Sequence, residues 1–215
     1  MKSAKRLIFL TSLCILAPVW AGAVLWGRLP ERVPTHFNFY GVADGWSAKP
    51  FAVFGLPLFL LAVHLLCAFA VFHDPKRENV HRKILSLVLW ICPAVSLFTA
   101  AMIYPNALEY PVDVNFIAAL LTGILFVALG NYLPKLRQNY TVGIKLPWTL
   151  ADEDNWNRTH RMAGPLWVIG GFLLILSAFL GVGQMWTFLG VIAIVGAAPV
   201  IYSAALYVRK GGRTQ

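Results

Sequence analysis

GPLWVIGGFLLILSAFLGVGQMWTFLGVIAIVGAAPVIYSAALYV, residues 164–208, runs for 45 residues without one Asp, Glu, Lys or Arg. As a single helix it would reach about 68 Å, more than twice a hydrocarbon core of roughly 30 Å. It must therefore cross a bilayer twice, and Gly181, Gly183 and Gln184 supply the turn between the crossings.

The rest of the chain repeats the pattern. Windows 7–27, 51–72, 84–104 and 114–134 are equally free of charge, so all 27 charged side chains lie outside six windows of 20 to 24 residues. With 59% hydrophobic residues and a mean hydropathy of +0.68, this segregation excludes a water-soluble globule. The expected fold is all-α: an integral membrane protein built as a bundle of six transmembrane helices.

The net charge of +9 would suggest nucleic acid in a soluble chain, but here it is an orientation signal. Both termini inside places 15 Lys and Arg on the cytoplasmic side and 3 outside. The expected topology is thus multi-pass, N-in and C-in, with attraction to anionic lipid as a by-product. No direct nucleic-acid partner is expected. Lys2, Lys5 and Arg6 ahead of an apolar run imitate a secretory leader, but the run continues through Val24, Leu25 and Trp26, so it is read as the first span.

Cys14, Cys67 and Cys92 fall in separate spans and suggest no disulfide or metal framework. Pro18, Pro57, Pro93 and Pro199 lie inside spans, with Pro134 and Pro165 at edges, so kinks are expected. Gly170, Gly171, Gly190, Gly196, Ala197 and Ala198 suit close helix packing. His64 is the one ordinarily titratable group well inside a span apart from Cys and Tyr; it is expected to be neutral and bonded to a neighbouring helix, so that His64→Gln leaves function intact.

Two loops carry the remaining information. The external one, 28–50, reads RLPERVPTHFNFYGVADGWSAKP. Pro30 and Pro34 favour extended backbone, whose alternation places His36, Asn38 and Tyr40 on one face and Thr35, Phe37 and Phe39 on the other. Gly41 and Gly45 offer turns around Asp44. The cytoplasmic one, 135–163, reads KLRQNYTVGIKLPWTLADEDNWNRTHRMA. Thr149 and Asp152 resemble a capping box, Asp152, Glu153 and Asp154 suit a helix's positive end, and Arg158, His160 and Arg161 its negative end. A short helix over 150–163 is expected, with an Asp154–Arg158 pair, lying on the inner surface before Gly164 and Pro165 open the fifth span. Trp148 and Trp156 suit the headgroup region.

At these loops the sequence resembles known families. The external run is similar to an N-terminal domain of unknown function common in bacterial membrane proteins. The internal run from Gly130 to Gly164 resembles the SdpI family of peptide-toxin immunity proteins, through Gly-Asn-Tyr at 130–132, Asn139, Gly143, Pro-Trp-Thr-Leu at 147–150, Trp156, Thr-His-Arg at 159–161 and Gly164. One departure is Lys145, where many relatives carry arginine, which would weaken a bidentate contact there. The resemblance divides the chain into an N-terminal membrane domain, 1–104, and an SdpI-like domain, 105–215.

The resemblance implies a protein that protects its producer from a secreted membrane-active peptide and signals by holding a transcriptional repressor at the membrane. It makes His36, Asn38, Gly41 and Asp44 candidate toxin-facing residues. Asn139, Gly143, Trp148, Thr149, Trp156, Thr159, His160 and Arg161 become the candidate cytoplasmic partner-facing set. The partners implied are a peptide toxin outside, a repressor inside and the lipid bilayer. Neither a cofactor nor a metal is expected, since one His and one Asp in the outer loop fall short of a zinc site. No nucleophile motif points to an enzyme, and the alternative function is a permease-like or envelope-maintenance protein without a toxin partner.

Overall fold

The computed structural model describes residues 2–110, 112–181 and 183–211; Arg213, counted above among the inner charges, and both chain ends lie outside them. Six helices are long and apolar enough to cross a membrane: 4–24, 51–72, 82–107, 114–135, 153–180 and 184–211. They are α1 (Lys2–Val24), α2 (Leu56–Phe72, entered through a π-helical turn at Phe51–Gly55), α3 (Arg82–Ala107), α4 (Val114–Tyr132, extended by a 3-10 turn to Lys135), and, beyond a one-turn helix α5 (Pro147–Ala151), α6 (Glu153–Leu180) and α7 (Gln184–Gly211). Helices satisfy their own backbone groups, which is what lets apolar side chains such as Phe59, Phe172 and Ile201 remain exposed for lipid.

Two compact units divide the chain: Met1–Phe69 with Val88–Leu121, and Ala70–Leu87 with Thr122–Gln215. The segment 70–87 groups with the second unit because the loop after α2 is hydrogen-bonded to the loop after α4, as described below.

The first unit packs Leu29, Val33, Ala52, Val53, Ile103, Tyr104 and Ala107 into one core. α3 is tied to α1 by hydroxyls that donate to main-chain carbonyls: Ser96 to Ile15 at 2.8 Å and Tyr104 to Pro18 at 2.8 Å. His64 is buried on α2, 3.0 Å from the Thr11 hydroxyl of α1. That hydroxyl donates to the Leu7 and Ile8 carbonyls, so the His64 Nε2–H is the donor.

In the second unit α4 and α6 meet at two glycine crossings seven residues apart on each helix. A Cβ on Gly123 would come 2.7 Å from the Gly171 carbonyl, and one on Gly130 2.8 Å from the Gly164 carbonyl. Only hydrogen fits there. α6 and α7 bury Leu174 against Val191 and Val195, and α6 ends on Gly181 at φ +65°.

Helix α6 corrects the expectation of a separate surface helix over 150–163. The chain is helical without interruption from Glu153 to Leu180, through both Gly164 and Pro165. At 28 residues it spans about 42 Å, longer than a hydrocarbon core, so its polar first turns extend beyond that layer. Its N-cap is Asp152, which accepts from the Asp154 N–H at 3.1 Å. Thr149 instead belongs to α5, where its hydroxyl accepts from the Leu146 N–H at 2.9 Å. Arg158, His160 and Arg161 therefore sit near the positive end, while the expected Asp154–Arg158 pair forms at 3.7 Å.

Candidate functional site

The loop over 28–50, expected to be the outer one, folds as an antiparallel hairpin of β1 (Arg32–Phe37) and β2 (Ala43–Ala48). Val33 and Thr35 are β-branched, and Pro34 is tolerated because a two-stranded ribbon has only edge strands. Bulges on either side of His36 break the simple alternation. Asn38 has left the strand: its Oδ1 accepts from the Tyr40 and Val42 N–H groups at 2.9 and 3.1 Å, closing the turn, and Gly41 follows at φ +74°. A Cβ on Gly41 would strain that turn. Of the four candidate toxin-facing residues, Asn38 and Gly41 thus build the apex. His36 and Asp44 are exposed and face each other, Nδ1 to Oδ1, at 2.5 Å.

Lys49, not singled out from the sequence, holds the hairpin's base. It is buried, its ammonium donating to the Leu29 carbonyl at 3.1 Å and pairing with Glu31 at 2.8 Å, 5.0 Å from the centre of the Trp26 ring. The apex is held too, since the Asn115 amide in the first turn of α4 donates to the Phe39 carbonyl at 3.2 Å.

The loop over 135–163, expected to be the inner one, is organised in the opposite way. Asn139 is fully buried; its Oδ1 accepts from the Thr141 and Val142 N–H groups at 3.0 and 2.7 Å, and its Nδ2 donates to the Arg137 and Val142 carbonyls at 2.9 and 3.0 Å. Trp156 is fully buried, bonded through Nε1 to the Leu136 carbonyl at 2.9 Å and stacked on His160 at 4.1 Å. His160 uses both ring nitrogens: Nδ1 donates to the Trp156 carbonyl at 2.8 Å and Nε2 accepts from the Ile144 N–H at 2.9 Å. A carbonyl cannot donate and an amide N–H cannot accept, so one tautomer is selected. Gly143 lies directly over this pair at φ +125°, where a Cβ would stand 2.6 Å from His160 Nε2.

The loop is clamped from outside its own sequence. Asp74, buried just after α2, accepts through Oδ2 from the Tyr140 N–H at 2.9 Å and the Thr141 hydroxyl at 2.8 Å. Lys76 donates to the Gln138 side chain at 2.5 Å, and Gln138 donates to the Thr149 and Leu150 carbonyls at 2.9 and 3.0 Å. On the far side Trp148 Nε1 donates to the Ser203 hydroxyl at 2.8 Å and Asn155 to the Ser203 carbonyl at 2.9 Å, fastening the loop to α7. Thr159 donates to Asn155 at 3.1 Å.

Of the eight candidate partner-facing residues, then, Asn139, Thr149, Trp156, Thr159 and His160 are buried, Gly143 and Trp148 are half-buried, and Arg161 is exposed. Trp156 is the loop's core rather than a headgroup anchor, because its indole closes the contact between 136 and α6. Asp74, Gln138 and Ser203 were missed; the Asp-Pro step at 74–75, just past a span, was the available signal for the first. Among the described residues no three His, Cys, Asp or Glu side chains are grouped to hold a metal ion.

Residues 135–203 match the SdpI/YfhL protein family, and residues 13–61 match a domain of unknown function, DUF1648. The first match contains the inner loop with α6, the second the outer hairpin. The chain is 28% identical over 185 residues to Immunity protein SdpI of Bacillus subtilis (strain 168), covering 86% of each chain. No solved structure matches significantly. Six helices fit to span a membrane and these matches together describe a multi-span membrane protein that is similar to the SdpI/YfhL family over its inner loop and last two spans.

Proposed function

We propose that the protein is an immunity protein of a bacterial cytoplasmic membrane, N-in and C-in, that intercepts a secreted antimicrobial peptide at its outer hairpin. The observation that carries this reading is the similarity to Immunity protein SdpI along 86% of both chains. The orientation is supported by the 15-to-3 distribution of basic residues. The hairpin supplies a prebuilt polar edge in His36 and Asp44, held at base and apex, so little ordering is needed to bind a peptide. The work is binding, not catalysis.

For signalling, the peptide must favour one conformation of the spans over another, since equal affinity for both shifts nothing. The cytoplasmic surface that would then receive a transcriptional repressor is the exposed side of the inner loop around Arg161, supported from beneath by the buried set.

Toxin-sensitive cells expressing the wild type, His36→Ala or an empty vector, matched for membrane level, are challenged with an Sdp-type peptide while survival and membrane potential are followed. Protection by the wild type and its loss in His36→Ala is the expected result. Equal protection moves the site off His36, and no protection by either removes the immunity reading for that peptide class.

A further inference from the structure

The hairpin does not stand away from the helices. Its base is fixed to the end of α1 by the Lys49 ammonium on the Leu29 carbonyl, and its apex is fixed to the first turn of α4 by Asn115 on the Phe39 carbonyl. α4 begins here, with Asp113 accepting from the Phe116 N–H at 2.9 Å, and α1 has just ended at Val24. Both anchors therefore lie at the same face of the spans, where apolar helix gives way to polar loop. A ribbon tied at both ends to that level lies along the bilayer surface.

What the apex exposes is apolar. Phe39 is 61%, Tyr40 79% and Val42 60% exposed, and the chain carries no charge from 33 to 43. Soluble turns carry polar side chains in such positions, whereas aromatic rings with a polar tip prefer the headgroup layer. The base shows the same chemistry: Trp26 packs on Phe54 at 5.6 Å under the Lys49 ammonium. The occupant these observations call for is lipid, because the patch is continuous in level with the span ends that lipid already surrounds.

The geometry points to a membrane-docking apex: Phe39, Tyr40 and Val42 insert into the headgroup and upper acyl region of the outer leaflet, leaving His36 and Asp44 at the water boundary. An amphipathic peptide adsorbed to that leaflet would then meet His36 and Asp44 at its own depth. This last clause rests on the immunity reading; the docking itself does not.

Single-cysteine proteins test it, with Cys14, Cys67 and Cys92 replaced by Ser and a polarity-sensitive fluorophore placed at Tyr40→Cys, Val42→Cys or Asp44→Cys. Each is reconstituted in phosphatidylglycerol and phosphatidylethanolamine vesicles without toxin, and circular dichroism checks that the helices are retained. Labels at 40 and 42 are expected to emit at shorter wavelength, to be quenched by spin-labelled lipid carrying its nitroxide near the headgroup, and to be shielded from iodide present on both sides. The label at 44 is expected to be open to iodide. Iodide quenching at 40 and 42 equal to that at 44 would overturn the proposal, and so would shielding that disappears as protein is diluted in lipid, because a second copy would then be the cover. Label depth is read without a peptide, so a failed survival assay and a failed docking assay are distinguishable.

Discussion

The outer hairpin and the inner loop are both irregular connections between spans, and they spend their polar side chains differently. In the hairpin, His36 and Asp44 pair with each other and both are exposed. In the loop before α6, Asn139, Thr149, Trp156 and His160 are buried and bonded to the main chain. A residue that recurs in a family pattern can be part of the architecture as readily as part of a contact surface, and these two loops illustrate each case. The inner pattern specifies a shape, and the outer one leaves chemistry exposed.

Gly143→Ala breaks the contrast most severely. It places a Cβ at φ +125° against His160 and the Trp156 ring, combining backbone strain with overpacking, and should cost about 2–5 kcal/mol. Thermal unfolding in detergent, followed by tryptophan fluorescence, should show a large loss. A wild-type midpoint would mean the loop is looser than its contacts imply.

Next comes Asp74→Ala, which leaves the Tyr140 N–H and the Thr141 hydroxyl without their carboxylate partner, for about 2–3 kcal/mol. Limited proteolysis of the detergent-solubilised protein should cut near 138–145 in the variant before the wild type. Asp74→Asn, which keeps one acceptor oxygen, should fall between them; identical digestion of all three would sever the clamp from the loop.

His36→Ala sharpens the comparison from the other side. An exposed pair contributes little to folding, so the unfolding midpoint should move by less than about 1 kcal/mol equivalent even where protection from the peptide is lost. A large drop in stability would make the pair structural and erase the difference between the loops.

The smallest effect belongs to Asp152, whose hydrogen bond from Lys210 holds its carboxyl below the ordinary value of 3.8. A lowered folded value means the contribution is complete above the unfolded carboxylate range and fades only as pH falls through that lower value. Stability should therefore be insensitive to this pair between pH 5 and 8. In acid, the wild type should lose an advantage that Lys210→Gln never had, measured as midpoints across a pH series.

The number of spans, their approximate ends and the turn at 181–184 were legible in the sequence, because lipid tolerates so few patterns. A charge-free run of some twenty residues has one inexpensive conformation in a bilayer. The Asp154–Arg158 pair was legible for a similar reason, since helical spacing alone brings those side chains together. The continuity of α6 was not. Gly164 and Pro165 look like a helix start, and only the packing of Gly164 against α4 shows why a small residue is needed mid-helix.

The sequence by itself determined a six-span helical protein with one loop of extended backbone and turn glycines and one loop of family pattern. Tertiary structure alone decided that the pattern is mostly buried and that Lys49 and Asp74 fasten the loops. Span formation is a local contest between each segment and lipid, readable from composition over about twenty residues. Whether Asn139 or His160 faces water depends on backbone groups brought to it by the fold, and Asp74 is 66 residues from the Tyr140 amide it accepts from.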